Sequence, residues 1–362
     1  MDDVYRDRIA ALTRIMGERG VRHLWVEPST GFRYLTGHLP ISMERLTGLL
    51  VSAEGNVALL SPTMLAQELD GITEDVRAWD DSEGPTRATA GILDGVDKLH
   101  VQGSLAMWMF DALRSSASVD IDVDPGCMSS LREHKDLHEV DILRRSAKIA
   151  DDTQVWISTQ DVRDLTENQL RGRIRAHFLE LGVDPSPPLV ATGANAAMPH
   201  YEGGDVEILP DRPLLCDFGA ALDGYWSDIT RVFMPNGIED QVSKAYEVVC
   251  AAYDAAFAAV APGVRCRDVD AAARKVIDDA GLGDRFIHRT GHGVGLDVHE
   301  PPFLDGGNDA ELEVGHVFSI EPGVYVPGGF GLRYENLVYL GPDGPEALNR
   351  APRYLRLGAE AG

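Results

Sequence analysis

Four acids lie in runs that otherwise read as buried β-strand. They are Asp217 in Cys216-Asp217-Phe218-Gly219, Asp228 in Ser227-Asp228-Ile229-Thr230, Glu321 in Ser319-Ile320-Glu321-Pro322 and Glu335 in Arg333-Tyr334-Glu335-Asn336. Two bare carboxylates ~4 Å apart repel by about 4 kcal/mol at an effective dielectric of about 20. Such a cluster must take up protons or bind cations. Oxygen ligands with one imidazole suit divalent metals, and two ions roughly 3.5–4 Å apart are a hydrolytic arrangement. The imidazole is offered by Gly291-His292-Gly293-Val294-Gly295, where the flanking glycines are expected to let the backbone turn sharply and present the ring. His299 follows, and His200 closes Ala197-Met198-Pro199-His200. Taken singly, each of these segments reads as an ordinary turn; only the set points to a metal centre.

Two hairpins are needed to bring the acids together. Asp223-Gly224 is a strong two-residue turn signal. With the turn there, Asp217 faces Thr230 and Gly219 faces Asp228, so Asp217 and Asp228 become diagonal neighbours on one sheet face. A second turn at Pro327-Gly328-Gly329 puts Glu321 opposite Glu335, with Gly323, Tyr325 and Arg333 on the same face by period-two alternation. Cys216 then points to the other face and reads as a packing residue.

The elements around these hairpins change character along the chain. The first part alternates short strands and helices. An opening amphipathic helix carries Ile9, Leu12, Ile15 and Met16, and strands are expected at His23–Val26, Gly48–Ser52, Val57–Ser61, Leu99–Gln102 and Val119–Val123, with a helix at Leu105–Ser115. Gly31-Phe32-Arg33-Tyr34-Leu35-Thr36-Gly37 reads as punctuation. A break at Asp124-Pro125-Gly126 separates an N-terminal domain, 1–126, from a C-terminal domain, 127–362. The second begins with a long charged helix, Leu137–Thr159, and a capping box at Thr166-Glu167-Asn168-Gln169 that opens a helix with Leu170, Ile174, Phe178 and Leu181 on one face. Further helices are expected at about Asp240–Val260 and Arg267–Ala280 between Gly-rich β segments. The fold class is α+β.

The bulk properties narrow the function. A formal net charge of −25 over 362 residues repels phosphate backbones, so no nucleic acid is expected as a partner. No run of roughly 18 apolar residues is present, and no membrane span is expected. The four cysteines, Cys127, Cys216, Cys250 and Cys266, form no CxxC pair, and a cytoplasmic location is expected.

In order, the stretches VATGANAAMPH, CDFGAALDGYWSDITRVF, HRTGHGVGLDVHEPP, FSIEPGVYVP and GFGLRYEN resemble the pita-bread metallopeptidases, the superfamily of methionine aminopeptidase, aminopeptidase P, prolidase and creatinase. The resemblance covers roughly Leu137 to Val338. The first domain, notably GFRYLTGH, is similar to the creatinase-like α/β domain of the aminopeptidase P and prolidase branch. The resemblance implies a C-terminal pita-bread fold holding two divalent ions, Mn²⁺ or Co²⁺ with Zn²⁺ or Fe²⁺ as other choices. It implies that Asp217 chelates one ion, that His292 and Glu321 bind the other, and that Asp228 and Glu335 bridge. It further implies hydroxide attack on the peptide bond before proline, proton transfer through Glu321, substrate and oxyanion contacts from His200 and His299, and positioning by Arg333 and Tyr325. The partners it implies are a peptide with proline in the second position and a second copy of the chain in a homodimer.

This sequence departs from the pattern at two places. Asn336 stands where many relatives carry Asp, which keeps a hydrogen bond and loses a charge. Phe303 stands where some dipeptidases carry an arginine that grips the substrate carboxylate; Arg353 is a candidate replacement. Among the other histidines, His134 and His138 read as surface residues, His288 as orienting its loop and His316 as a hydrogen-bonded framework residue. Two other functions fit the resemblance: creatinase-like hydrolysis or a lyase, and a non-catalytic binding protein on the same fold. The intact set Asp217, Asp228, His200, His292, His299, Glu321 and Glu335 counts against both.

Overall fold

The computed structural model describes residues 2–235 and 237–357. It divides into two compact units, Met1–Arg132 and Glu133–Gly362. The division falls one short helix past the Asp124-Pro125-Gly126 break. Asp124 accepts from the backbone amides of Cys127 at 2.8 Å and Met128 at 3.1 Å, which caps the helix Cys127–Glu133. Its Cys127, Met128 and Leu131 are buried, and Arg132 donates to Thr30 Oγ1 at 3.0 Å, so this helix belongs with the first unit.

The first unit is a six-stranded mixed sheet in the order Asp75–Trp79, Val57–Pro62, Gly48–Ser52, His23–Val26, Lys98–Val101, Asp120–Val123. The two outer pairings on the His23–Val26 side are parallel, as is that of Val57–Pro62 with Asp75–Trp79. Trp25, Leu50, Leu60, Leu99 and Leu113 fill one core. Ile9, Leu12 and Met16 of the opening helix are buried as expected. The Gly31–Gly37 stretch is not punctuation. It lies in a helix, Thr30–Thr36, because Ser29 accepts from the amide of Phe32 and Gly37, at φ +79°, stops the turn. Phe32, Tyr34 and Leu35 are buried in it, together with Gly31 and Thr36.

The second unit carries the acid-bearing hairpins. Antiparallel strands Leu189–Thr192, Leu214–Phe218 and Ile229–Phe233 form one sheet. Glu300–Leu304, Gly291–Gly293, Val317–Ile320, Asn336–Gly341 and Gly344–Ala347 form another of five strands. Gly323–Val326 and Phe330–Arg333 make a two-stranded ribbon.

Helices cover these strands from two sides. The helices Asp240–Ala259 and Cys266–Asp279 supply Tyr246, Val249, Tyr253, Val269, Ala273 and Ile277 to a core with Phe318, Ile320, Leu332 and Val338. Leu137–Ser158 and Glu167–Glu180, each opened by a capping box, supply Ala150, Ile157, Leu170, Ile174 and Phe178 against Leu214, Cys216 and Phe218. Leu181 caps the second of these helices and is 48% exposed, outside the buried stripe it was expected to extend. Cys216 is fully buried in this core, on the face away from the acids, and burial pushes its thiol pKa up. His316 departs in part from the expected framework role. Its Nδ1 accepts from the Glu313 amide at 3.3 Å, but its buried Nε2 has no hydrogen-bond partner among the described residues.

Candidate metal centre

Both hairpin registers expected from the turns are present. Thr230 pairs with Asp217 and Leu222 with Tyr225 across the turn at Asp223-Gly224, where both residues adopt positive φ, +50° and +85°. In the second hairpin Gly323 pairs with Arg333 and Ile320 with Asn336. Glu321 and Glu335 lie in the gap between those two pairings, where neither is held by the other strand's ladder. The Glu321 amide donates instead to Thr290 O at 2.8 Å, and the Glu335 amide to Thr230 O at 3.4 Å. Each glutamate therefore sits where the ladder between its two strands opens.

The result is a buried cluster. Ligand atoms of Asp217, Asp228 and Glu335 lie within 4.8 Å of one another, as do those of His292, Glu321 and Glu335. His292 Nε2 is 3.3 Å from Glu321 Oε1 and 3.7 Å from Asp228 Oδ2. Burial, followed by the charges of Asp217 and Glu321, raises the Asp228 carboxyl well above its ordinary range. Burial and the charges of Asp228 and Glu321 do the same to Glu335. Burial pushes Glu321 up to about 7, against the pull of Arg333.

His292 supplies the sharpest test of fit. Its Nδ1 donates to Gly293 O at 3.1 Å, and burial together with His299 pushes its pKa down to about 3. Nε2 therefore presents a lone pair to two carboxylates. A lone pair facing carboxylate oxygens at 3.3 and 3.7 Å is repulsive unless an electropositive atom lies among them. The donor set, four carboxylates and one neutral imidazole, fits divalent cations. His299 packs its ring 3.9 Å from that of His292, and its nitrogen, with Asp228 and His292, is within reach of a shared ion. The loop that carries it is fixed by Glu300, which accepts from Lys135 Nζ at 2.6 Å and from the Asp297 amide at 3.4 Å.

The glycines around His292 do something other than turn the chain. Gly291–Gly293 is a strand. A Cβ on Gly291 would lie 1.9 Å from Ser319 O, and one on Gly293 2.2 Å from Pro301 O. They are glycine because neighbouring backbones press against them. Gly291→Ala is expected to cost roughly 3 kcal/mol or more, since the obstacle is main chain and cannot rotate away. Thermal denaturation of that variant measures the cost.

One cation is buried in the cluster. Arg333 donates through Nε to Thr230 Oγ1 at 2.9 Å, through one terminal nitrogen to Tyr325 Oη at 2.9 Å, and through the other to Asp217. Thr230 Oγ1 in turn donates to Glu335 Oε2 at 2.7 Å. The Tyr325 hydroxyl donates to His288 Nε2 at 2.8 Å, and His288 Nδ1 donates to Arg289 O at 2.7 Å. This order is forced: a backbone carbonyl only accepts, so Nδ1 carries the proton and Nε2 must accept. Burial pushes the His288 pKa down to about 3, in keeping with a neutral ring. The hydroxyl roles of Thr230, which the register had placed opposite Asp217, and of Ser319, whose Oγ accepts from the His292 amide at 3.1 Å and donates to Glu321 at 3.4 Å, were not assigned from the sequence. Their only signal was a hydroxyl residue beside or opposite an acid. Asn336 keeps a hydrogen bond as expected, accepting from the fully buried Arg231 at 2.7 Å.

A cavity of about 650 Å³ opens on the cluster. Asp217, Asp228, His292, His299, Glu321, Arg333 and Glu335 line it, and so does the exposed His200. Arg353 is not among its lining residues. It is paired with Asp254 at 2.7 and 2.9 Å and lies over the Tyr334 ring, so it is already committed elsewhere. His134 contacts Glu313 at 3.0 Å and the His316 ring at 4.7 Å, away from the acids.

Residues 141–342 match metallopeptidase family M24, and residues 8–133 match the creatinase/prolidase N-terminal domain. A dipeptidase from Pyrococcus horikoshii OT3 is 35% identical, with a TM-score of 0.92 over 97% of this chain and 99% of that one. A prolidase from Thermococcus sibiricus is 34% identical, with a TM-score of 0.93 over 99% of both. The probable dipeptidase PepE of Mycobacterium tuberculosis is 32% identical over 98% of this chain and 96% of its own length.

Proposed function

The chain belongs to metallopeptidase family M24, with a pita-bread domain behind a creatinase-type N-terminal domain, and on that premise we propose that it is an Xaa-Pro dipeptidase. One observation carries the reading: four carboxylates and an unprotonated imidazole nitrogen converge in a buried pocket that holds a single buried arginine. The names of the similar dipeptidase and prolidase support the dipeptide substrate over a longer one. We assign the metal-ligand role to Asp217, Asp228, His292, Glu321 and Glu335. Two divalent ions there would supply Lewis acidity and a nucleophile near neutral pH.

The chain's own residues do the rest. Glu321, on the His292 side of the cluster, carries a proton to the leaving proline nitrogen, which has no amide hydrogen of its own. His200 and His299 line the cavity and donate to the scissile carbonyl as it gains charge. Arg333 and Tyr325 hold Asp217 and Glu335 (the latter through Thr230) in one orientation, so no carboxylate must rotate during turnover.

Mn²⁺ or Co²⁺ as the activating ion, a homodimer, and a cytoplasmic site of action complete the proposal. Four free, buried cysteines suit a reducing compartment, and among the described residues no helix is long and apolar enough to cross a membrane. The test is hydrolysis by the purified protein, supplied with Mn²⁺ or Co²⁺, of an Xaa-Pro dipeptide, an Xaa-Pro tripeptide and an Xaa-Ala dipeptide. The expected result is turnover of the first at least tenfold above the other two. Equal turnover of the tripeptide would point to an aminopeptidase, and silence on all three with both metals would reject the peptidase reading.

A further inference from the structure

Three arginines line the cavity: Arg171, Arg289 and Arg333. Arg333 is 3% exposed and spends its donors on Thr230, Tyr325 and Asp217. Arg171 donates to the backbone oxygens of Pro188, at 2.7 Å, and Glu202, and to Asn168 at 3.2 Å. Arg289 is different. It is half-buried and, among the described residues, makes no ion pair. Its guanidinium lies 4.4 Å over the ring of Phe303, which pairs with His292 across adjacent strands.

A guanidinium held over an aromatic ring by cation–π attraction can still present N–H groups to a ligand, and those groups match a carboxylate in a bidentate fork. Arg289 lines the same cavity as His292, His299 and Glu321, and it stands three residues before His292. Phe303 occupies the position where an arginine would otherwise be sought, and in this chain it serves as the shelf on which an arginine from the preceding strand's approach rests.

We infer that Arg289, braced on Phe303, is the specificity residue that binds the free C-terminal carboxylate of the dipeptide. The inference rests on the dipeptidase reading and adds to it the group that measures substrate length. A second amino acid beyond proline would replace that carboxylate with a neutral amide and forfeit the fork.

The experiment compares an Xaa-Pro dipeptide with the same compound as its C-terminal amide, in the full-length Mn²⁺-loaded protein. The unsubstituted protein is expected to favour the acid by roughly 30- to 100-fold in kcat/KM, the range of a lost charge-assisted contact. Arg289→Met should collapse that ratio to near one, chiefly through KM for the acid. Arg289→Lys should keep part of it, and Arg289→Met combined with Phe303→Arg should restore part. Bound manganese and the thermal midpoint establish that each variant is folded. An Arg289→Met protein that is folded, loaded and still prefers the acid as strongly overturns the assignment while the dipeptidase reading stands. An unsubstituted protein that treats acid and amide alike overturns the dipeptidase reading itself, and the anchor with it.

Discussion

Asp228→Asn is expected to lower kcat/KM on an Xaa-Pro dipeptide by at least about a thousandfold, roughly 4 kcal/mol of transition-state stabilisation. The substitution hardly changes volume. It removes one negative charge and one of the two equivalent oxygens from the residue that sits between both groups of ligand atoms, with Asp217 and Glu335 on one side and His292 on the other. A merely structural role predicts the opposite stability effect from the one expected here. Asp228 is destabilising when ionised and unfilled, because burial and the charges of Asp217 and Glu321 all oppose its charge. The metal-free variant should therefore melt higher than the metal-free parent at pH 8, while binding less metal and turning over almost nothing. The exposed Asp152→Asn, on an i,i+4 surface pair with Lys148, serves as the control and should change neither. Activity within tenfold of the parent, with two ions still bound per chain, would remove Asp228 from the proposed ligand set.

The second large effect concerns the metal-free protein and pH. Asp228, Glu321 and Glu335 all have carboxyl pKa values raised by burial and by one another. A raised folded-state pKa means that the folded chain holds more protons than the unfolded one, so stability falls as pH rises. The window runs from the ordinary carboxylate range upward through about 7, the value reached by Glu321. Glu321 alone accounts for a loss of roughly 3 kcal/mol across that window, at about 1.4 kcal/mol per unit. Between pH 5 and about 6.5 the loss is opposed by His288, His292 and His316, whose pKa values, pushed down by burial to about 3, add stability as pH rises. Chelated protein should thus melt progressively lower chiefly between about pH 6.5 and pH 8. Saturating Mn²⁺ should flatten this dependence, because cations hold the same carboxylates ionised, and should stabilise far more at pH 8 than at pH 5. Differential scanning calorimetry with and without chelator at several pH values reads both. A chelated protein whose midpoint rises across that range would contradict the clustered, uncompensated acids.

Much of the centre was legible because a β-hairpin is a counting device. Asp223-Gly224 and Pro327-Gly328-Gly329 locate the two turns, and period-two alternation then dictates which residues share a face. Phe218 opposite Ile229, and Gly323 opposite Arg333, follow from that arithmetic alone. What counting does not reveal is where a ladder opens. Glu321 and Glu335 keep the register but give their amides to Thr290 and Thr230, which come from other parts of the chain. The hydroxyls of Thr230 and Ser319 are likewise assigned by three-dimensional neighbours. The same limit explains Arg353: its distance along the sequence from Phe303 said nothing about its partner Asp254, whereas Arg289 stood three residues before His292 throughout. In the first unit, GFRYLTG carried two glycines and was read through them. Ser29 ahead of Phe32, Tyr34 and Leu35 was the better guide to a short capped helix. The edge strand Asp75–Trp79 was passed over because four of its five residues are exposed and no alternation marks it.

The two hairpins also say where this polypeptide can be lengthened. Adding one residue to an arm, between Asp217 and Leu222 or between Glu321 and Val326, would turn an acid to the opposite face of its strand. Adding residues at the tips leaves the arms in phase, and Asp223, Pro327 and Gly328 are exposed there. A reporter peptide or an affinity handle grafted at Pro327-Gly328-Gly329 would therefore leave Glu321 and Glu335 in register, a way to tag the chain without moving its acids.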